Sequence, residues 1–331
     1  MSGKYILRSF TSGITGILLL LTLLINKGYS QDVSDQSLRL MFYNVENLFD
    51  IYDDSLKDDN EFLPGGLMRW NYTRYNKKIS SLYKTIIAAG EWSPPDIVAF
   101  CEVENRKVLE DLIYGTYLSK FNFGIVHEES PDQRGIDVCM IYRKDRSEII
   151  HYEYWVPSEI STDDFTSRSV LYVKLSTSLD TLHLIVNHWP SRRGGVLAAE
   201  SHRKTIAAMV KTRVDSLIES FGAGVKIIIV GDFNCTPYDE VMRLMISSAS
   251  PGSSLVNLSE TDASEGMGTY RYMGIWEMID QVLVSDGLMR CNYGLYADQK
   301  SFSVFRPDFL LNRDPRYPGF TPFSTYRGYR Y

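Results

Sequence analysis

The chain has 331 residues, of which 44% are hydrophobic and 23% charged, and it carries a formal net charge of −6 at pH 7. That composition excludes a disordered chain or a coiled coil, and the length suffices to bury a large core without disulfide or metal staples. The acidic balance also argues against tight, sequence-independent binding to a polyanion.

At the N-terminus, Lys4 and Arg8 precede the apolar run from Ile14 to Ile25, and Gly28 and Ser30 stand just before Gln31. A positive start, an apolar centre and small residues at a cleavage position describe a secretory signal peptide over residues 1–30. The run of 12 residues falls short of the ~20 needed to span a bilayer. Cleavage and a secreted or periplasmic mature protein are therefore expected, rather than an N-terminal anchor. No Cys follows the run and no later apolar run could cross a membrane, so neither a lipid anchor nor a stable span is expected in the mature chain.

From there, short β-rich runs recur at 38–43, 96–101, 121–126, 137–142, 170–175, 181–187, 225–230 and 278–284. Helical periodicity lies between some of them. Residues 71–89 place Tyr75, Ile79, Leu82, Ile86 and Ala89 on one face, and residues 196–219 do the same with Ala199, Ala207, Val210, Val214 and Leu217. Turn-like links between neighbouring strands in 121–142 and 149–187 predict antiparallel pairs. This order predicts an α/β sandwich of two packed mixed sheets flanked by helices, in a single domain over residues 31–331.

The acidic loop from Asp50 to Glu61 reads first as a solvated loop and second as a structural Ca²⁺ site, although its spacing matches no EF-hand. Cysteines 101, 139, 235 and 291 have no metal spacing, and the first three sit in or beside strand-like runs as small buried thiols. Sequons at Asn71, Asn234 and Asn257 are expected to be unmodified.

Five apolar runs end in, or are broken by, polar side chains that a strand would deliver to a sheet edge. Asn44 follows Leu40–Tyr43, where a strand-ending turn residue is the plain alternative. Glu102 follows five apolar residues, and burying its carboxylate is costly unless it is paired or on a metal. His188 follows Leu184–Asn187, and Arg192, Arg193 and two glycines come soon after, a combination suited to a phosphate group. Asp232 and Asn234 follow Ile227–Gly231, and an extended backbone would aim both the same way. Asp280 interrupts a final apolar run and requires a partner.

The ordered set NVENLF, AFCEVEN, VNHWPSR, GDFNCTP and IDQVLVS resembles the endonuclease/exonuclease/phosphatase family, in particular its deoxyribonuclease I-like branch, and spans residues 38–285. The resemblance implies a four-layer α/β sandwich and divalent-metal-dependent hydrolysis of phosphodiesters. It implies Glu102 as ligand of Mg²⁺ (or Mn²⁺) with Asn44 beside it, and Asp232 as activator of the attacking water. Asn234 would orient the water or the phosphate, and His188 would donate to a phosphoryl oxygen or the leaving group. Asp280 would orient a second His, Arg192 and Arg193 would contact phosphate, and Asp137 would support the first His. Nucleic acid is the first expected substrate. A phospholipid or sugar-phosphate diester is second, and a catalytically impaired phosphate-binding homologue is third. The family's closing Ser-Asp-His segment has no counterpart here. The five histidines stand at 127, 151, 183, 188 and 202, none after Asp280. A chain truncated at its C-terminus, with weakened activity by itself, is the corresponding expectation.

Overall fold

Ile97, Val98, Ala99, Phe100 and Cys101 follow one another without a polar break, as a strand buried on both faces requires. In the computed structural model this run lies inside a sheet and every one of those residues is buried. The structure describes residues 37–157, 167–191, 196–247, 254–291 and 294–326. Residues 1–30, expected to be a signal peptide, and Arg192 and Arg193 lie outside the described residues.

The first sheet holds β1 (Leu40–Leu48), β2 (Ile97–Val103), β3 (Phe123–Val126) and β4 (Asp137–Arg143), in the order β1-β2-β4-β3. β1 and β2 run parallel, and β4 is antiparallel to both its neighbours. The second sheet holds β5 (Ser147–Trp155), β6 (Val170–Thr177), β7 (Thr181–His188), β8 (Lys226–Asp232), β9 (Leu255–Asn257) and β12 (Asp280–Ser285), in the order β5-β6-β7-β8-β12-β9. Only the β7–β8 pair in it is parallel. Two small hairpins, β10 (Tyr270–Tyr272) with β11 (Ile275–Glu277) and β13 (Leu311–Arg313) with β14 (Phe320–Pro322), complete the strands.

Period-two alternation divides each central strand between two layers. Val98, Phe100, Cys139 and Ile141 join the cluster beneath helices α1 (Tyr72–Ala89) and α2 (Arg106–Tyr114). Ile185, Ile227 and Ile229 join the cluster beneath α3 (Val196–Phe221) and α4 (Glu240–Ile246). The alternate residues Ile97, Ala99, Cys101, Val138 and Met140 of one sheet, and Leu182, Leu184, Val186 and Val230 of the other, are also buried. They fill the space where β2 packs on β7 and β8. Helices, sheet, sheet, helices is the four-layer sandwich expected, and it falls in one unit, Arg39–Tyr331.

Local chemistry explains the helices. Asn71 caps α1 by accepting from the Arg74 N–H at 3.2 Å, and Gly90 ends it. Tyr75, Ile79, Leu82 and Ile86 are buried along one stripe, each contributing about 1.5–3 kcal/mol. Asn105 caps α2 in the same way, at 3.0 Å from the Val108 N–H. That helix is too short to show a clear period in the sequence. Two shorter helices, α5 (Ser259–Ser264) and α6 (Asp286–Met289), flank β12. Among the described residues no helix is long and apolar enough to cross a membrane. Cys101, Cys139 and Cys235 are buried, as expected of small core thiols, and burial pushes the Cys101 and Cys139 thiols well up.

Candidate active site

Six of the residues singled out in the sequence lie at one edge of the two facing sheets. His188 is the last residue of β7, Asp232 is the last of β8 and Asp280 the first of β12. The sheet register sets His188 and Asp280 each opposite Asp232. Gly231 makes the junction possible. A Cβ there would meet the Asn187 carbonyl oxygen at 2.3 Å and the Asn187 Cβ at 2.7 Å, so only glycine lets β7 and β8 approach this closely.

From the other sheet, Asn44 and Glu102 stand where the pairing of β1 and β2 slips out of register. Glu102 has a left-handed backbone, φ 64°, and Glu46 and Asn47 follow suit at 53° and 56°. Left-handed non-glycine residues cost about 1–3 kcal/mol each and are retained where the surroundings fix them. Here the fixing contacts are visible. The Asn47 N–H donates to Glu102 Oε2 at 2.9 Å. The Lys78 ammonium donates to the carbonyls of Glu46 and Asn47, the latter at 3.3 Å. Lys78 is buried on α1, and that burial lowers its pKa to about 8 against the pull of the Glu46 and Glu102 charges. The sequence reading missed it because a lone Lys on an amphipathic helix looks like solvated surface. Its one sequence signal is its place beside Ile79 on the apolar face.

Asn44 joins the two sheets. Its amide nitrogen donates to Glu102 Oε1 at 3.1 Å and to Asp232 Oδ2 at 3.0 Å, while its oxygen accepts from the Glu46 N–H at 2.9 Å. This hydrogen-bond pattern fixes the amide orientation. Nitrogen, not oxygen, faces the carboxylates, so Asn44 suits the task of orienting them better than that of a direct metal ligand. His188 Nε2 lies 3.8 Å from Glu102 Oε1 and 4.0 Å from Asp232 Oδ2. Burial, followed by the charges of Arg168 and Arg134, holds its imidazole well below the ordinary histidine pKa. It is therefore neutral at pH 7, with one donor and one acceptor nitrogen. Its Nδ1 is buried without a hydrogen-bond partner among the described residues.

Burial and the neighbouring Asp280 charge push the Asp232 carboxyl well up, against the bonds it accepts from the Asn234 N–H and Asn44. Asp280 is pushed up to about 6 by burial, opposed by its contact with Thr269 and reinforced by the Glu102 charge. Its Oδ1 too is buried without a partner among the described residues.

Asn234 departs from the simple strand expectation. It is left-handed, φ 49°, and its N–H turns back onto Asp232 Oδ1 at 2.9 Å. Its amide nitrogen donates to the Trp189 carbonyl at 2.9 Å. The two side chains of GDFN thus part company, because the turn needs an Asx-type bond more than an extended backbone. Asp137 also stands apart from the His it was expected to support. Its carboxylate oxygens go to His127 Nε2 at 3.1 Å and the Ser130 N–H at 2.8 Å. Spacing alone could not find that partner, since His127 enters from the loop before β4.

With Glu129, these two make the only His/Cys/Asp/Glu group among the described residues whose ligand atoms all lie within 4.8 Å. It is distinct from Glu102. A Mg²⁺ site typically uses one or two carboxylates, with waters and substrate oxygens completing the shell, so the strand-end site need not contain three close protein ligands. The residues there do suit a hard cation: the Glu102 charge raises the proton affinity of Asp232 and Asp280, and the Asp280 charge that of Asp232, as acids held near each other without a counter-ion do. In the acidic loop, Asp50, Asp54 and Asp59 accept from the loop's own N–H groups, at Tyr52, Leu56 and Asp54.

The profile of the endonuclease/exonuclease/phosphatase family matches residues 39–331. The chain belongs to that family, whose members are phosphoesterase hydrolases. No curated protein sequence matches it. Among solved structures, the catalytic domain of human nocturnin with a bound sulfate anion is similar at TM-score 0.51 and 16% identity, covering 75% of this chain and 82% of that one. Humanized D. rerio TDP2 gives 0.50 and 15%, covering 75% and 83%. A mannosyl-6-phosphatase from Bacteroides thetaiotaomicron gives 0.50 and 15%, covering 76% and 86%. At these identities the likeness establishes a shared fold.

Proposed function

We propose that this chain is an exported, divalent-metal-dependent phosphodiester hydrolase, with nucleic acid as its first candidate substrate. The observation that carries the reading is the meeting of Glu102, Asp232 and His188 around the Asn44 amide, where two sheets bring their polar ends together. Glu102, oriented by the Asn44 amide, would hold Mg²⁺ (or Mn²⁺). When bound, the ion neutralises charge developing on the phosphoryl oxygens and leaves positions open to substrate.

The chain's own residues supply the rest. Asp232, its proton affinity raised, accepts a proton from the attacking water while the Asn234 N–H and Asn44 amide hold its carboxylate in place. Neutral His188 donates a hydrogen bond to the phosphoryl group without bringing a competing positive charge next to Glu102. Positioned acid–base groups of this kind contribute typically ~10²–10⁴-fold each. Export is supported by the positive, apolar and small-residue order of residues 1–30.

A sugar-phosphate or phospholipid diester is the second reading, favoured by the chain's acidic balance. Purified protein with Mg²⁺ is offered DNA, RNA, sphingomyelin and a sugar-phosphate diester. Cleavage of DNA or RNA that stops with Glu102→Ala is expected. Cleavage confined to the last two substrates moves the assignment to the second reading. Phosphate binding with no metal-dependent cleavage of any of them overturns the enzymatic reading in favour of a binding protein.

A further inference from the structure

Glu46 stands in the first motif, NVENLF, yet the hydrolytic chemistry above does not use its carboxylate. Its partners come from a segment 278 and 279 residues further along the chain. Ser324 Oγ donates to Glu46 Oε1, and the Thr325 N–H donates to Oε2 at 2.6 Å. The next residue, Tyr326, donates its hydroxyl to the Asn47 carbonyl. Three consecutive residues thus grip both left-handed residues of the turn that supports Glu102.

The Tyr326 ring is held in a socket. Its centroid lies 5.3 Å from that of Phe62, edge to face, and 5.2 Å from that of Trp70. Lys78 Nζ stands 4.6 Å from the same centroid, within the range of a cation–π attraction. Burial, followed by the Glu46 charge, pushes the phenol well up, so its hydroxyl stays a donor. Lys78 also donates to the Glu46 carbonyl, the other end of the peptide whose Asn47 N–H holds Glu102 Oε2 at 2.9 Å. A cation on that carbonyl polarises the peptide and strengthens donation from its N–H. Tyr326 is therefore one residue removed from Glu102 by two routes, through Asn47 and through Lys78.

The segment's other end is fixed on the Asp280 side. Arg271 of β10 donates to the Pro318 carbonyl at 2.6 Å and to the Phe320 carbonyl at 2.7 Å. The Phe323 N–H is bound to the Leu310 carbonyl at 2.7 Å. Two residues before Arg271, Thr269 accepts from the Asp280 N–H at 3.0 Å. Residues 318–326 thus run from the hairpin beside Asp280 to the turn beside Glu102.

We propose that Tyr326 is a positioning residue for Glu102: with Glu46 as its anchor, it holds the Asn47 peptide that aims the carboxylate at a divalent ion. The inference rests on the metal-dependent hydrolase reading and deepens it. Left-handed backbone at two consecutive non-glycine residues is costly and persists only where the surroundings hold it. With the outer grip gone, Glu102 keeps its charge but loses its fixed direction, and groups that orient a ligand set metal affinity. A packing role alone predicts the reverse, lower stability with unchanged metal affinity.

The test uses the full chain and Mn²⁺ alone as the calorimetric probe, with phosphodiester cleavage measured on the same samples. Tyr326→Phe keeps the ring and removes the hydroxyl. It is expected to weaken Mn²⁺ binding about three- to tenfold, less than the ~10–100-fold typical of groups bonded directly to a metal ligand. The Mn²⁺ concentration for half-maximal cleavage should rise by the same factor, and excess Mn²⁺ should restore most of kcat. In metal-free protein the Asn47 amide should exchange faster with solvent. Ser324→Ala should shift each readout the same way by less, and it carries the test should Tyr326→Phe fail to fold. Wild-type Mn²⁺ affinity in the folded variants overturns the inference, whatever happens to their denaturation midpoints. If Glu102→Ala abolishes cleavage in that case, the hydrolase reading stands without a role for Tyr326. Wild-type cleavage that ignores Mn²⁺ and survives Glu102→Ala strikes the hydrolase reading itself, and the inference with it.

Discussion

The two sheets meet at one edge but equip it differently. On the β1–β2 side, both oxygens of Glu102 are bonded, to the Asn47 N–H and the Asn44 amide, and the turn that supplies them is clamped by Lys78. On the β7–β8–β12 side, His188 Nδ1 and Asp280 Oδ1 are buried and lack partners among the described residues. The first half is a finished frame that presents a carboxylate in one geometry. The second half retains hydrogen-bonding capacity and raised carboxyl proton affinities, as groups that must gain and lose protons do. Rigid backbone strain on one side and unsatisfied polar atoms on the other are both costly, and both fall within a few residues of each other.

The contrast can be broken from the acid–base side first. Asp232→Asn keeps the contact with Asn44 in shape but removes the proton acceptor, and is expected to lower kcat by about 10³-fold or more. A drop of less than tenfold in steady-state assays would assign the base elsewhere. His188→Ala is expected to cost about 10²–10³-fold, chiefly in kcat. Its pH profile near the ordinary histidine pKa should match that of the wild type, because the wild-type imidazole is already neutral at pH 7.

Gly231→Ala tests the join between the strands. The added methyl meets Asn187 backbone, which cannot give way cheaply, so a loss of about 1–3 kcal/mol is expected in chemical denaturation. A neutral result would mean that β7 and β8 are not held this closely.

Asp280→Asn should give the smallest effect, and of the opposite sign. The folded-state pKa of Asp280 is raised to about 6, so the folded form binds its proton more tightly than the unfolded chain does. The stability this confers is present at low pH and is lost as pH rises through about 6. In metal-free protein at pH 7, removing the charge is expected to add about 1–2 kcal/mol, since the residue is only partly shielded from water. The gain should vanish below pH 4. Thermal unfolding at the two pH values checks it, and destabilisation at pH 7 would show that Asp280 is paired.

Much of this site was legible because chemistry follows strand ends. Runs such as Ile227–Gly231 announce a buried strand, and the first polar residue after them has to emerge at its edge, which is how His188 and Asp232 come to light. Both long helices were visible from their buried stripe. What the sequence hides is whatever depends on contacts distant along the chain. Lys78 meets the Glu46–Asn47 turn across 31 and 32 residues, and Arg168 meets Trp189 across 21. The left-handed turn at Asn234 and the pairing of Asp137 with His127 are likewise settled by geometry that period-two reasoning ignores. Short elements such as α2 and the β10–β11 hairpin offer too few residues to show a period.

The central claim is that the Glu102 frame holds a divalent ion on which hydrolysis depends. Titrating Mn²⁺ into wild type and Glu102→Gln, reading metal binding by calorimetry and phosphodiester cleavage on the same samples, tests it most directly. Glu102→Gln keeps the size of the side chain and its place in the bulge while removing the charge. The account predicts saturable binding and metal-dependent cleavage in the wild type, with both reduced at least about tenfold in the variant. Equal Mn²⁺ affinity and equal cleavage in the two proteins would contradict it.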